Sequence, residues 1–224
     1  MDNKATHSSG YSGITVFDLD HTLFHGNSSF HFGVYLYRTG KLSFLRMLYL
    51  VGCFLGHRFG CVSFYRLHEL SIKAYFQSIS FSQLEGWADE FLNLHFESLI
   101  NPEIHEKLLE SQKNKQYTLI LSNSPHFLVK GIAQRFQVDY FLATAYQIEK
   151  DQAVGVSSLV LGSDKASFLE IFAKEKSIAL QNCTAYTDHI ADLALLKIVG
   201  KAVVVKPNKK LRKVCLENKW TILE

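Results

Sequence analysis

The chain is 224 residues long, 47% hydrophobic and 13% aromatic, a content that buries a real core and excludes a disordered polymer. Its 24 basic and 21 acidic residues leave a formal charge of +3, too weak to argue for nucleic acid, which calls for a concentrated basic patch. Cys53, Cys61, Cys183 and Cys215 show no CxxC or finger spacing, so they are expected as reduced, mostly buried thiols of a cytoplasmic protein.

Residues 1–13 are polar and lack the charged start and apolar centre of a signal peptide, and are expected to form a short frayed tail. The run Ile14-Thr15-Val16-Phe17 reads as a buried strand, because β-branched and aromatic side chains suit a pleated surface. It closes on Asp18-Leu19-Asp20-His21-Thr22. Side chains two apart on a strand share a face, so both carboxylates are expected to aim at one spot. Such a pair repels unless a cation or a shared proton compensates, which points to a hard cation such as Mg²⁺ together with a phosphate. An acidic turn closing the strand is the plain alternative.

Residues 27–99 read as helical and aromatic-rich. Within them, residues 42–56 are almost continuously apolar, but these 15 residues are interrupted by Arg46 and fall short of the roughly 20 needed to cross a bilayer. They are expected as a buried helix, with a peripheral membrane-surface helix flanked by Arg38, Lys41, Arg46, His57 and Arg58 as the sharper reading. A helix over 83–99 is predicted from the spacing of Leu84, Trp87, Ala88, Phe91, Leu92, Phe96 and Leu99, with Ser82 and Glu85 as a capping box and Phe81 as its staple. His95 lies on that apolar stripe and reads as a core residue. The next helix is expected to start at Pro102 with Asn101 as cap.

From about residue 102, short apolar runs alternate with helical patterns. Strands are expected at 117–122 and 140–144, and a hairpin over 146–160 around Lys150-Asp151-Gln152. A helix from Asp164-Lys165 should bury Phe168, Ile171 and Phe172. Then come a strand at 183–187, a helix closing on Gly200 as C-cap, a strand at 202–205 and a basic helix after Pro207, whose Lys206, Lys209, Lys210, Arg212 and Lys213 read as a solvated face. Strand-helix-strand repetition argues for a parallel sheet covered on both faces, with 27–99 as an insertion after its first strand. Polar residues stand where strands end. Ser122 can meet a phosphate oxygen, Lys165 is a compact charge able to neutralise a carboxylate and a phosphoryl group together, and Asp188 and Asp192 fall at the edge where open α/β sheets bind ligands. Taken singly, each also fits a turn, a solvent-facing lysine or a helix cap.

Together, Asp18-x-Asp20-x-Thr22, Ser122 after a strand, Lys165, and Asp188 with Asp192 resemble the haloacid dehalogenase (HAD) superfamily, whose pattern is DxDxT, Ser/Thr, Lys and two acidic residues. The likeness runs from residue 14 to the C-terminus and includes Ser122-Asn123-Ser124-Pro125 and Val204-Val205-Lys206-Pro207-Asn208. The helical insertion is similar to the cap of the phosphoserine-phosphatase-like subfamily IB. The resemblance implies an α/β fold, a three-layer Rossmann-like core (residues 13–26 and 100–224) with a helical cap (27–99). It implies a Mg²⁺-dependent phosphatase acting on a small or lipid-like phosphate monoester through an aspartyl-phosphate. Asp18 would be the nucleophile and Asp20 the general acid and base. Asp18, Asp188 and the carbonyl of Asp20 would hold the metal, Asp192 would orient Lys165 or the metal's water, and Thr22, Ser122 and Asn123 would bind phosphate. Three departures, His21, Thr187 and His189, are expected to crowd the metal site. They admit a second reading, a catalytically weakened phospholigand-binding or membrane-surface module. A phosphotransferase would share every catalytic residue. Asn27 stands where phosphoserine phosphatases carry a Glu for the substrate's amino group, which argues against phosphoserine.

Overall fold

β1 (Gly13–Phe17) is buried along its whole length. Alternation sends Ile14 and Val16 into one hydrophobic cluster and Phe17 into another, as a strand covered on both faces requires. The computed structural model describes residues 10–76 and 79–224; nine residues of the expected tail lie outside them. Around β1 stand β2 (Gln116–Pro125), β3 (Tyr140–Glu149), β4 (Gln152–Ser158), β5 (Cys183–Thr187), β6 (Lys201–Val205) and β7 (Thr221–Leu223). Their order in the seven-stranded sheet is β4-β3-β2-β1-β5-β6-β7. β1 is parallel to both neighbours, with Val16 opposite Leu119 and Ala185. Among the described strands only β3 and β4 run antiparallel. Their turn is Lys150-Asp151, both at positive φ (47° and 62°), as a two-residue hairpin turn prefers; Gln152 already belongs to β4.

One face of the sheet is covered by α5 (Pro102–Lys113) and α6 (His126–Phe136), the other by α7 (Gly162–Glu175), α8 (Leu193–Ile198) and α9 (Lys209–Asn218). This is the expected three-layer α/β architecture. Between β1 and β2 the chain makes α1 (Ser28–Arg38), α2 (Phe44–Arg58), α3 (Phe64–Phe76) and α4 (Phe81–Leu99). These helices share the α5/α6-side cluster: Phe32 and Phe91 meet at 5.6 Å between ring centroids, and Phe32 meets Phe127 of α6 at 5.9 Å. Among the described residues, no helix is long and apolar enough to cross a membrane.

Several local expectations are corrected. The Ser82–Glu85 box does not form. α4 starts earlier and is capped by Ser80, whose hydroxyl accepts from Gln83 N (3.1 Å). Ser82 instead donates its N–H and hydroxyl to Asp151 Oδ1 (2.9 and 2.8 Å), tying α4 to the hairpin turn. Asn101 precedes Pro102 as expected but makes no side-chain cap; its amide donates to the Thr22 carbonyl (3.0 Å). His95 is exposed and rests against Tyr35 and Phe91. Ile171 is exposed, and Leu169, Phe172 and Ala173 take the core face of α7. α8 ends at Ile198 with Val199 as its cap. Gly200 is needed elsewhere, since a Cβ there would overlap the Gln181 carbonyl. Cys61 is exposed, and the other three cysteines are buried and free. The expectation of a buried helix over 42–56 fails: within α2, among residues whose side chains are described, only Cys53 is buried.

α3 carries a buried histidine. His68 Nδ1 shares a hydrogen bond with the Tyr146 hydroxyl (2.9 Å). Burial, aided by the charge of His57, pushes its pKa down from 6.5 to about 4. With the folded pKa below the unfolded one, stability is full above pH 6.5 and falls as the pH drops toward 4, by up to about 3 kcal/mol. We expect His68→Gln to flatten the pH dependence of urea unfolding in that window; an unchanged slope would assign it to other groups.

Candidate active site

The site lies at the carboxyl ends of β1, β2 and β5, where parallel strands present their loops. β1 ends at Phe17, so Asp18 and Asp20 stand in the loop beyond it rather than on one strand face. That loop is tightly fixed. Asp18 N–H donates to the Tyr186 carbonyl (2.9 Å), Phe24 N–H to Leu19 O (2.9 Å) and His21 N–H to Gly26 O (3.0 Å). The two carboxylates consequently meet different partners.

Asp18 faces Lys165, whose Nζ donates to Asp18 Oδ1 (2.8 Å) and to Asp192 Oδ2 (2.9 Å). Thr187 Oγ1 donates to the same Asp192 oxygen (2.7 Å) and accepts from His189 N–H (3.2 Å). Asp18, Lys165, Thr187 and Asp192 are all buried. Lys165 is delivered by the first turn of α7, which approaches the Ala191–Asp192 backbone so closely that a Cβ at Gly162 would overlap the Ala191 carbonyl. The glycine is therefore what brings the lysine and Asp192 together.

Asp20 is held by the start of α1 and the end of β2. Ser28 N–H donates to its Oδ1 (2.6 Å), and Ser124 Oγ (2.6 Å) and Asn27 Nδ2 (3.3 Å) donate to its Oδ2. Asn27 also caps α1 by accepting from Phe30 N–H (2.8 Å), so both ends of its amide are committed. Ser122 is buried inside β2, which runs on past the expected end to Pro125; its hydroxyl accepts from Ser124 N–H (3.1 Å), while Asn123 is exposed. Thr22 Oγ1 is fully buried with no hydrogen-bond partner among the described residues. A buried hydroxyl left so is costly, and an anion in the loop would relieve it.

Electrostatics separate the cation from the anions. Burial works against the Lys165 charge, but Asp18 and Asp192 outweigh it and hold its pKa above the ordinary value. Burial raises Asp18 to about 6, with Lys165 opposing and Asp192 adding to the rise. Burial also raises Asp188 to about 8, reinforced by the charge of Asp18. One ammonium thus bonds the carboxylates of Asp18 and Asp192. Carboxylate oxygens are the natural donors to a hard divalent cation, and Asp18 and Asp188 are the residues here that could hold one. Among the described residues no three His, Cys, Asp or Glu side chains gather as a ligand set. Asp20's carboxylate is engaged by Ser28 and Ser124.

The expected crowding does not arise. His21 is exposed at positive φ (60°). His189 is exposed and caps the following turn, its Nδ1 accepting from Ala191 N–H (3.2 Å). Thr187 is folded onto Asp192. Two contributors escape the sequence reading, Ser124 and the Ser28 N–H. Nothing in their spacing announces them, although Asn27 before an apolar-periodic run is a legible helix cap.

Residues 15–197 match the family model described as haloacid dehalogenase-like hydrolase. The phosphoserine phosphatase SerB1 of Mycobacterium tuberculosis is 27% identical over 223 residues, covering 94% of this chain and 70% of that protein. Among solved structures, a protein of unknown function from Bordetella pertussis superposes with a TM-score of 0.83 at 18% identity, over 96% of this chain and 99% of that one. A phospho-aspartyl intermediate analogue of phosphoserine phosphatase gives 0.67 at 16% identity, over 95% and 93%. The last two likenesses are of fold.

Proposed function

The chain belongs to the haloacid dehalogenase-like hydrolase family, and on that premise we propose that it is a phosphatase cleaving a phosphate monoester through a phosphorylated Asp18. The observation that carries this reading is the buried Asp18–Lys165–Asp192 chain at 2.8 and 2.9 Å, set beside a second carboxylate, Asp20, held separately by Ser28 and Ser124. Two carboxylates in two environments suit two roles.

Asp18 attacks phosphorus as the ester P–O bond breaks, and Asp20 gives its proton to the departing oxygen. Water then enters; Asp20 takes its proton back as the new P–O bond forms and Asp18 is released. Lys165 holds the attacking carboxylate in place and faces the phosphoryl oxygens, Asp192 orients Lys165, and the hydroxyls of Ser122 and Thr22 and the amide of Asn123 receive the remaining phosphoryl oxygens. Mg²⁺ would be held by Asp18, Asp188 and the Asp20 carbonyl, and supplies, when bound, neutralisation of the negative charge gathered there. Residues 13–26 and 100–224 form the catalytic core and 27–99 the cap that selects the substrate. Asn27, uncharged and bonded at both ends of its amide, offers no counter-charge to an amino group, so the substrate is a monoester other than phosphoserine.

The test is release of inorganic phosphate from an aryl phosphate and a panel of metabolite phosphates, with Mg²⁺ or with a chelator. We expect turnover only with the metal, and a higher melting temperature on adding Mg²⁺. Equal rates in chelator, or no release from any monoester, would overturn the reading.

A further inference from the structure

Ser124 of β2 stands where the sheet meets the first inserted helix, α1. Its Oγ lies 2.6 Å from Asp20 Oδ2 and 3.2 Å from both Ser28 Oγ and Ser29 Oγ. A hydroxyl has one proton and two lone pairs. The short contact to a carboxylate claims that proton, so the Ser28 and Ser29 hydroxyls donate to Ser124 and fill its lone pairs. The Ser124 main-chain N–H donates to Ser122 Oγ (3.1 Å), which leaves the Ser122 proton for a phosphoryl oxygen. Ser28 and Ser124 are buried, and Ser29 is half-buried.

The three donors on Asp20 are unequal. Ser28 offers a main-chain N–H to Oδ1 (2.6 Å), and Asn27 reaches Oδ2 only at 3.3 Å, from an amide that also caps α1. The Ser124 hydroxyl alone is both short and reversible. An N–H can only donate, whereas a hydroxyl also accepts. Ser124 therefore stays bonded to Asp20 when that group carries the proton and when it has given it up, with Ser28 and Ser29 turning to match. Without it, Oδ2 keeps only the long contact and the carboxyl group is free to swing about its Cβ–Cγ bond. An acid must stand within hydrogen-bond reach of the oxygen it protonates, and a misplacement of about 1 Å can cost about 10²-fold. That cost is graded. A strongly acidic phenol departs as its anion, while a weakly acidic alcohol needs the proton. Resting on the phosphatase reading, we propose that Ser124 is the positioning residue of Asp20 and sets how weakly acidic an alcohol the site can release.

The test is a series of esters, 2,4-dinitrophenyl, 4-nitrophenyl and phenyl phosphate, whose phenols are successively weaker acids. For each, kcat/KM reads the barrier up to departure of the phenol. Ser124→Ala is expected to lower kcat/KM about thirtyfold on phenyl phosphate and about threefold or less on the dinitrophenyl ester. A merely structural role, or one in binding the phosphoryl group, would lower all three alike. In an Asp20→Asn background no acid is left to position, so adding Ser124→Ala should change kcat/KM by about twofold or less. Ser124→Cys keeps the side chain's volume but offers only a weak donor. It should show the same graded loss, and decides the matter if the alanine variant does not fold. Far-UV circular dichroism identifies the folded variants. An equal loss on all three esters, or a loss in the Asp20→Asn background as large as in wild type, would overturn the proposal and leave the phosphatase reading standing. No hydrolysis of any of the three by wild type would overturn both.

Discussion

Asp18→Asn is expected to cut phosphate release by a factor of about 10⁴ or more and to leave the fold as stable as before. The first effect comes from placing the nucleophile there, since an amide oxygen is a poor nucleophile and cannot carry the phosphoryl group as a mixed anhydride. The second comes from the charge balance of the site. Lys165 keeps Asp192 at 2.9 Å after the change, so the buried ammonium retains a partner, and one of the mutually repelling carboxylates is gone. Unfolding free energy should therefore stay within about 1 kcal/mol of wild type or rise. The Mg²⁺-induced rise in melting temperature should shrink, because one of two carboxylate donors is lost. Steady-state phosphate release and a thermal melt with and without Mg²⁺ check all three. Turnover within tenfold of wild type would remove Asp18 from the nucleophile's place.

The site is legible in the sequence to the extent that it is built from strand ends. A parallel strand is an uninterrupted apolar run, and the residues just past its carboxyl end face the ligand edge; locating β1 and β5 thus places Asp18 and Asp188, while Ser122 lies inside β2, which runs on to Pro125. Lys165 and Asp192 are legible only through the family pattern, because a lysine and an aspartate in the first turn of a helix are ordinary by themselves. Their convergence depends on a backbone approach at Gly162, and no local pattern encodes which distant loop a glycine admits. The expectation that Asp18 and Asp20 share one face fails because the strand ends at Phe17, before either aspartate. Past that point the loop, not the pleat, directs the side chains, and Asp20 turns to Ser28 and Ser124. The cap departs from expectation for a different reason. An apolar run is the signature of burial only where something lies over it, and hydrophobicity alone does not reveal that the outer face of α2 has no covering element among the described residues.

Lys165→Met has the opposite charge effect to Asp18→Asn. The methionine keeps the stem's volume but leaves Asp18 and Asp192, both buried, without the ammonium each contacts. Removing one partner of a buried ion pair costs about 3–5 kcal/mol, because the remaining charge is stranded in a poorly solvated site. Turnover should fall by about 10³ through loss of the cation at the phosphoryl oxygens. Destabilisation and lost chemistry are separated by a second change. Adding Asp192→Asn removes one stranded carboxylate and should restore a large part of the lost unfolding free energy, with Thr187 able to bond the new amide as it did the acid. It restores no positive charge beside Asp18, so activity should stay at the level of the single variant. Excess Mg²⁺ should act likewise, raising the melting temperature of Lys165→Met without recovering turnover. Were the double variant as active as wild type, Lys165 would be a structural counter-ion alone; were it as unstable as the single variant, the burial of unpaired carboxylates would not be what Lys165 prevents.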